Sequence, residues 1–223
     1  MMTNLFSIFD PATPNILSSN WNSIFIFLMV FPLATWTSPS RINHVFYLLI
    51  NYVFSEFKPL TKKAPFILLM STILFTAVMF NNIPGLMPYV FTASSHIGIT
   101  LSLAMPIWVG LMIYGWLNNT SNLLTHLIPQ GTPKALMPFM VLIETISALI
   151  RPMTLAVRLA ANMIAGHLLM VLLASAFTQL PLMASPVLFS AQIMLSSLEI
   201  AVAFIQAYVF SILITLYSAE TIN

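Results

Sequence analysis

Of the 223 residues, 59% are hydrophobic and 5% are charged, where a soluble domain carries about 25% charged residues. So few charges cannot clothe a water-facing surface, which excludes a soluble globular protein. Seven basic residues and a net charge of +2 do not make a nucleic-acid surface, and the absence of cysteine excludes disulfides and cysteine-held metals.

In lipid a backbone must satisfy its own hydrogen bonds, which favours helices. The alternating segments of a membrane barrel are missing. The expectation is an all-α membrane protein of five to six helices, built as a single polytopic domain over 1–223. The N-terminus has no basic segment, so it is neither a normal secretory signal nor an Arg-rich transit peptide. The first span is expected over 16–36, with Trp21 and Trp36 suited to the headgroup belts. The segment 42–57 carries Asn43, His44, Asn51 and Glu56 among apolar residues, which predicts an interfacial helix. Lys58, Lys62 and Lys63 then mark the side from which the protein is inserted.

A second span is predicted over 65–80. Asn81, Asn82, Pro84, Gly85 and Pro88 follow and should break the helix. That break is either an interfacial turn or a polar stretch lining water. A third span covers 97–117, with Pro106 as a mild kink, and a polar loop with His126 follows. The last two apolar segments, 135–180 and 187–219, are both longer than the ~20 residues one upright span needs. With Pro181 and Pro186 between them, they predict a long, strongly tilted helical hairpin.

The ionisable groups concentrate on this hairpin. At 100° per residue, Glu144, Arg151 and Asn162 share a face with Arg158, and His167 points to the opposite side. On the second arm Glu199, Gln206 and Glu220 share a face. Arg158 sits inside an apolar run, where a charge costs roughly 3 kcal/mol or much more. Its guanidinium cannot release its proton. Carboxylates and imidazole can exchange protons near neutral pH, so the layout suits proton transfer along two separate wet paths with a fixed charge between them. Small residues (Ala156, Ala160, Ala161, Ala165, Gly166) are expected to let another helix approach beside the arginine. The competing structural roles are plain. Glu144 and Arg151 could be an i, i+7 ion pair, Glu220 a solvated terminal residue, His167 a packing histidine, and Arg158 could snorkel. Asn162 and Gln206 could be amide bridges between helices. His44, His96 and His126 lie far apart and are read as surface or interfacial, with no metal site and no cofactor expected.

The stretch Arg158-Leu159-Ala160-Ala161-Asn162-Met163-Ile164-Ala165-Gly166-His167 resembles the signature of subunit a of the rotary ATP synthase, in its mitochondrial form. Leu198 to Phe210 on the second arm and Asn82 to Pro88 resemble two further segments of that family. The resemblance implies a stator subunit in the mitochondrial inner membrane. It would press against a ring of c-subunits, beside other membrane and peripheral-stalk subunits. Arg158 matches the arginine that meets the ring carboxylates. His167, Glu199, Asn82, Asn162 and Gln206 match positions of the intermembrane-space half-channel. Glu144 and Glu220 match acids of the matrix half-channel, where the family often has Asp at the last position. The chain would then form no chemical bond by itself, and the absence of a leader would fit synthesis inside the organelle. Two other classes compete. A secondary transporter should show inverted repeats, and none is seen between the two halves. A non-transporting scaffold of a respiratory complex does not explain Arg158 between acids.

Overall fold

A computed structural model describes residues 5–13, 20–25, 40–61, 65–87, 90–118, 120–128, 133, 136–177 and 185–222. Its helices are α1 (Arg41–Phe57), α2 (Pro65–Gly85), α3 (Ile97–Asn118), α4 (Thr120–His126), α5 (Met137–Phe177) and α6 (Ser185–Ile222). Short 3-10 turns cover Leu5–Phe9, Asn20–Phe25 and Ala93–Ser95. No strand occurs among the described residues. Four helices (α2, α3, α5 and α6) are long and apolar enough to cross a membrane. The molecule is an all-α membrane protein. The expected first span over 16–36 falls mostly outside the described residues, and only Asn20–Phe25 is seen there.

Ser40 starts α1 by accepting the amide N–H of Asn43 at 3.3 Å, which satisfies one of the orphan donors of a helix start. The inner stripe of α1 is Phe46, Leu49, Val53 and Phe57, the i, i+3, i+7 spacing of one helical face. Phe46 meets Phe80 of α2 at 5.2 Å between ring centroids. Tyr47, Leu48 and Tyr52 face outward.

The expected break after Phe80 does not occur there. Helix α2 continues to Gly85 with Pro84 inside its last turn. A proline this close to a helix end disrupts few intrahelical bonds, and the N–H groups of Leu86 and Met87 close the turn onto Ile83 and Pro84. Asn81 and Asn82 are therefore presented by a helix rather than a loop. The Asn81 amide donates back to the Ala77 carbonyl at 3.0 Å, while Asn82 points inward.

Helices α5 and α6 contain 41 and 38 residues. At ~1.5 Å per residue they are about 62 and 57 Å long, twice the ~30 Å hydrocarbon core. Neither fits upright, so both must run obliquely or project beyond the core. Pro152 lies within α5 without ending it. The two pack antiparallel, with Gly166 beside Glu199 and Arg151 over Tyr217. Helix α2 packs mainly on α6, and α3 on α5. The shared core includes Phe75, Val78, Met79, Leu155, Leu159, Phe210 and Ile214, with Ala156 and Ala207 where backbones approach most closely.

Ala207 is completely buried, whereas Val187 is 69% exposed. Ala207→Phe is expected to destabilise the detergent-solubilised assembly by about 1–3 kcal/mol or more through overpacking, and Val187→Phe to leave it unchanged. Thermal denaturation of the two variants checks this.

Candidate functional site

Helix α6 carries Glu199 into the protein, where the residue is 8% exposed. Neither carboxyl oxygen has a hydrogen-bond partner among the described residues. Opposite it stands Gly166 of α5. A Cβ built there would lie 3.1 Å from Glu199 Oε1 and 3.2 Å from its Cδ. Glycine is thus what lets the carboxyl lie flat against the α5 backbone.

Around this contact lies a cavity of about 190 Å³, large enough for several waters. Its polar lining is Asn82 from α2, Asn162 from α5, and Glu199 and Gln206 from α6. Asn82 is fully buried, and both ends of its amide lack a partner among the described residues. Three helices therefore bring three amides and one carboxyl to a single space. Leu159, Leu169, Leu198 and Val202 complete its walls. Stripping water from a lone carboxylate costs several kcal/mol, so a cavity with room for water is the environment this group requires.

His167 adjoins the cavity without lining it. The ring turns away from Arg158, as the helical wheel predicts, and interacts with the backbone of Gly85 at the end of α2. Phe9 meets it edge-on at 6.3 Å. Its Nε2 is buried with no partner among the described residues.

Arg158 is exposed on the outer face of α5. Among the described residues it makes no ion pair or hydrogen bond. It lies eight residues before Gly166, which is about 12 Å along the helix. The small residues around it divide between two faces. Ala156 and Ala160 are buried against the bundle, whereas Ala161 and Ala165 are exposed on the same side as the guanidinium. They leave that side shallow and open.

Glu144 is held by Arg151 at 3.3 Å, with the two side chains 37% and 33% exposed. Arg151 also lies over the Tyr217 ring at 5.2 Å, which ties the start of α5 to the end of α6. The ion-pair role is therefore real, and Glu144 is not brought to Arg158. The backbone of Glu220 continues α6, but its side chain lies outside the described residues.

The sequence pattern of the ATP synthase A chain matches residues 17–219. The chain belongs to the ATP synthase A chain family. It is 53% identical over 225 residues to ATP synthase subunit a of Locusta migratoria. It is 51% identical over 225 residues to that of Drosophila mauritiana, and 50% identical over 229 residues to that of Anopheles gambiae. In each case 99% of both chains is covered. As a member of this family the chain is a multi-pass membrane subunit of ATP synthase and is not catalytic by itself. The transporter and scaffold alternatives are set aside.

Two polar residues pack in ways a sequence reading of this family member does not show. His96 was expected as a surface or interfacial group. It is half-buried, packs between Trp21 and Phe91 at 5.3 Å from each, and its Nε2 has no partner among the described residues. Ser94, two residues earlier, is buried with an unpartnered Oγ. Nothing in their spacing announces this, because a 3-10 turn places them. His44 is exposed as expected, and the side chain of His126 lies outside the described residues. Among the described residues no group of three His, Cys, Asp or Glu could hold a metal.

The Gly166–Glu199 contact makes a graded prediction. At 3.1 Å the carboxyl must give by only a few tenths of an ångström for Gly166→Ala, so ATP-driven proton pumping should be reduced modestly. Gly166→Leu fills the cavity and should abolish pumping while the assembly still hydrolyses ATP. Quenching of a pH-sensitive dye in inverted vesicles measures both.

Proposed function

We propose that the chain is the stator subunit a of a rotary, proton-translocating ATP synthase in the mitochondrial inner membrane. It would offer two offset proton half-channels to the carboxylates of a c-subunit ring. The observation that carries this reading is the open, unpaired guanidinium of Arg158 on a helix whose next two turns line a polar cavity containing a buried glutamate. Membership of the ATP synthase A chain family supports it.

The orientation follows from α2. Lys58 precedes this helix, and Asn82 lies seventeen residues beyond its first residue, Pro65, about 26 Å away. By the positive-inside rule the lysine-rich end faces the matrix. The Glu199 cavity then belongs to the intermembrane-space side. Protons would reach Glu199 through water ordered by Asn82, Asn162 and Gln206, with His167 beside the path. From Glu199 a proton passes to a ring carboxylate. Once neutral, that acid can face lipid, which its ionised form cannot do cheaply. After most of a turn it releases the proton toward the matrix, along a path assigned to Glu144 and Glu220. Arg158 attracts the resulting carboxylate and separates the two paths. The membrane potential supplies about 2.3 kcal/mol per charge per 100 mV. Other membrane and peripheral-stalk subunits hold the chain still against the ring.

Arg158→Ala should abolish coupled ATP synthesis and ATP-driven pumping. Arg158→Lys should come close to doing so, because a compact ammonium lacks the planar fork that holds a carboxylate. Normal pumping by the alanine variant would refute the reading. A second test concerns the matrix side. Glu144→Gln should lower proton flux by at least about tenfold, the scale of losing a proton-transferring group, whereas Arg151→Gln should not. Equal losses in the two would reduce Glu144 to a structural partner of Arg151.

A further inference from the structure

Asn82 lines not one cavity but two. Behind it, away from Glu199, lies a second space of about 40 Å³ bounded by Asn81, Asn82, Ser94 and Thr100, with Val78 and Phe210 as apolar walls. It exceeds the ~10–15 Å³ that a single water needs. Asn81 and Thr100 already bond to backbone carbonyls of their own helices. Ser94 does not. Its Oγ is buried without a partner among the described residues, as are both ends of the Asn82 amide. Leaving a buried polar group unsatisfied costs about 1–3 kcal/mol. Three such atoms around one small space mean that water completes their hydrogen bonds.

The geometry points to Ser94 as a further residue of the proton access path, outside Asn82, with the Asn82 side chain as the joint between an outer and an inner water-holding cavity. This inference rests on reading the Glu199 cavity as an access path. An amide offers donors at one end and an acceptor at the other, so Asn82 can orient waters in both cavities without itself carrying a proton. A serine hydroxyl donates and accepts at once. It can take a proton from one water while passing its own to the next, so no charge accumulates on it. The net step delivers one proton inward, and the Glu199 carboxylate accepts it. The placement matches the topology. Ser94 sits on the Ala93–Ser95 turn between α2 and α3, at the end of α2 remote from Lys58.

The chain contains no cysteine, so single cysteines placed in it can report water access, with the assembly carrying the unsubstituted chain as the silver-insensitive reference. The probe is silver ion, which is close to hydrated-proton size and reacts with a thiolate. Ser94→Cys and Val202→Cys, the latter on the inner cavity, should both lose pumping on silver treatment. Ser71→Cys should not, because Ser71 is fully buried but lines neither cavity. Asn82→Leu itself should cut pumping, so in its presence silver access is read instead as protection of each cysteine from later thiol labelling of the unfolded chain: silver should no longer reach Val202→Cys and should still reach Ser94→Cys. Should Ser94→Cys fail to assemble, Thr100→Cys on the same cavity replaces it. A sensitive Val202→Cys with an inert Ser94→Cys overturns the role of Ser94 and leaves the Glu199 path standing. If both are inert, the access path itself fails. Sensitivity of Ser71→Cys, or silver access to Val202→Cys behind Asn82→Leu, also overturns the proposal, since water then reaches the inner cavity by another route.

Discussion

A guanidinium cannot shed its charge, and Arg158 holds one in the open on an apolar helix. Facing hydrocarbon, that group would cost several kcal/mol. The cost disappears only if something acidic or wet covers this side of α5. The shallow surface made by Ala161 and Ala165 lets a partner come close. The interior side of the same helix is closed by Ala156 and Ala160. One helix thus has a face committed to its own bundle and a face that needs a partner. The partner's chemistry is dictated by the charge left uncovered, and the ring of carboxylates proposed above would meet that need.

The length of α5 and α6 follows from the same requirement. A short upright pair would place a proton path and the arginine at one depth. Two antiparallel arms of about 60 Å spread the chemistry out. Glu199 sits against Gly166 near one end, the Arg151–Tyr217 contact ties the other, and Arg158 stands between them. Helices α2 and α3 then serve as braces. Helix α2 also contributes directly, because its extra turn through Pro84 carries Asn82 into the cavity wall.

Much of this was legible in the chain. Apolar runs of the right length marked α2, α3, α5 and α6, since lipid leaves a spanning helix few alternatives. Of the five residues grouped by the family resemblance, Asn82, Asn162, Glu199 and Gln206 line one cavity and His167 adjoins it without lining it, although periodicity could group them only arm by arm. What failed was local. Pro84 reads as a breaker, yet a proline in a last turn costs little, so α2 ran on. The small residues of α5 were expected to allow close approach beside the arginine; successive alanines at 160 and 161 point about 100° apart, so only part of the set is buried against the bundle. His96 and Ser94 were illegible because a 3-10 turn, not a helical face, decides where they point. The closeness of Gly166 to Glu199 was equally hidden, since it depends on the register between two arms and no single-chain pattern records it.

The distance between Arg158 and the cavity has a further consequence. Asn162, the polar cavity residue nearest in sequence, lies about one turn away, about 6 Å along the axis. At an effective dielectric near 20, two unit charges ~6 Å apart repel by about 3 kcal/mol. A hydrated proton that came that close to the guanidinium would be disfavoured roughly a hundredfold relative to one far from it, at about 1.4 kcal/mol per tenfold. An incoming carboxylate at the same place is favoured by a similar amount. The single charge thus does two things at once. In the proposed function it would stop the water path from continuing along α5, and it would mark the place where an acid, but not a free proton, is welcome. A neutral side chain of the same size could do neither, and a second cation placed closer to the cavity would empty it of protons.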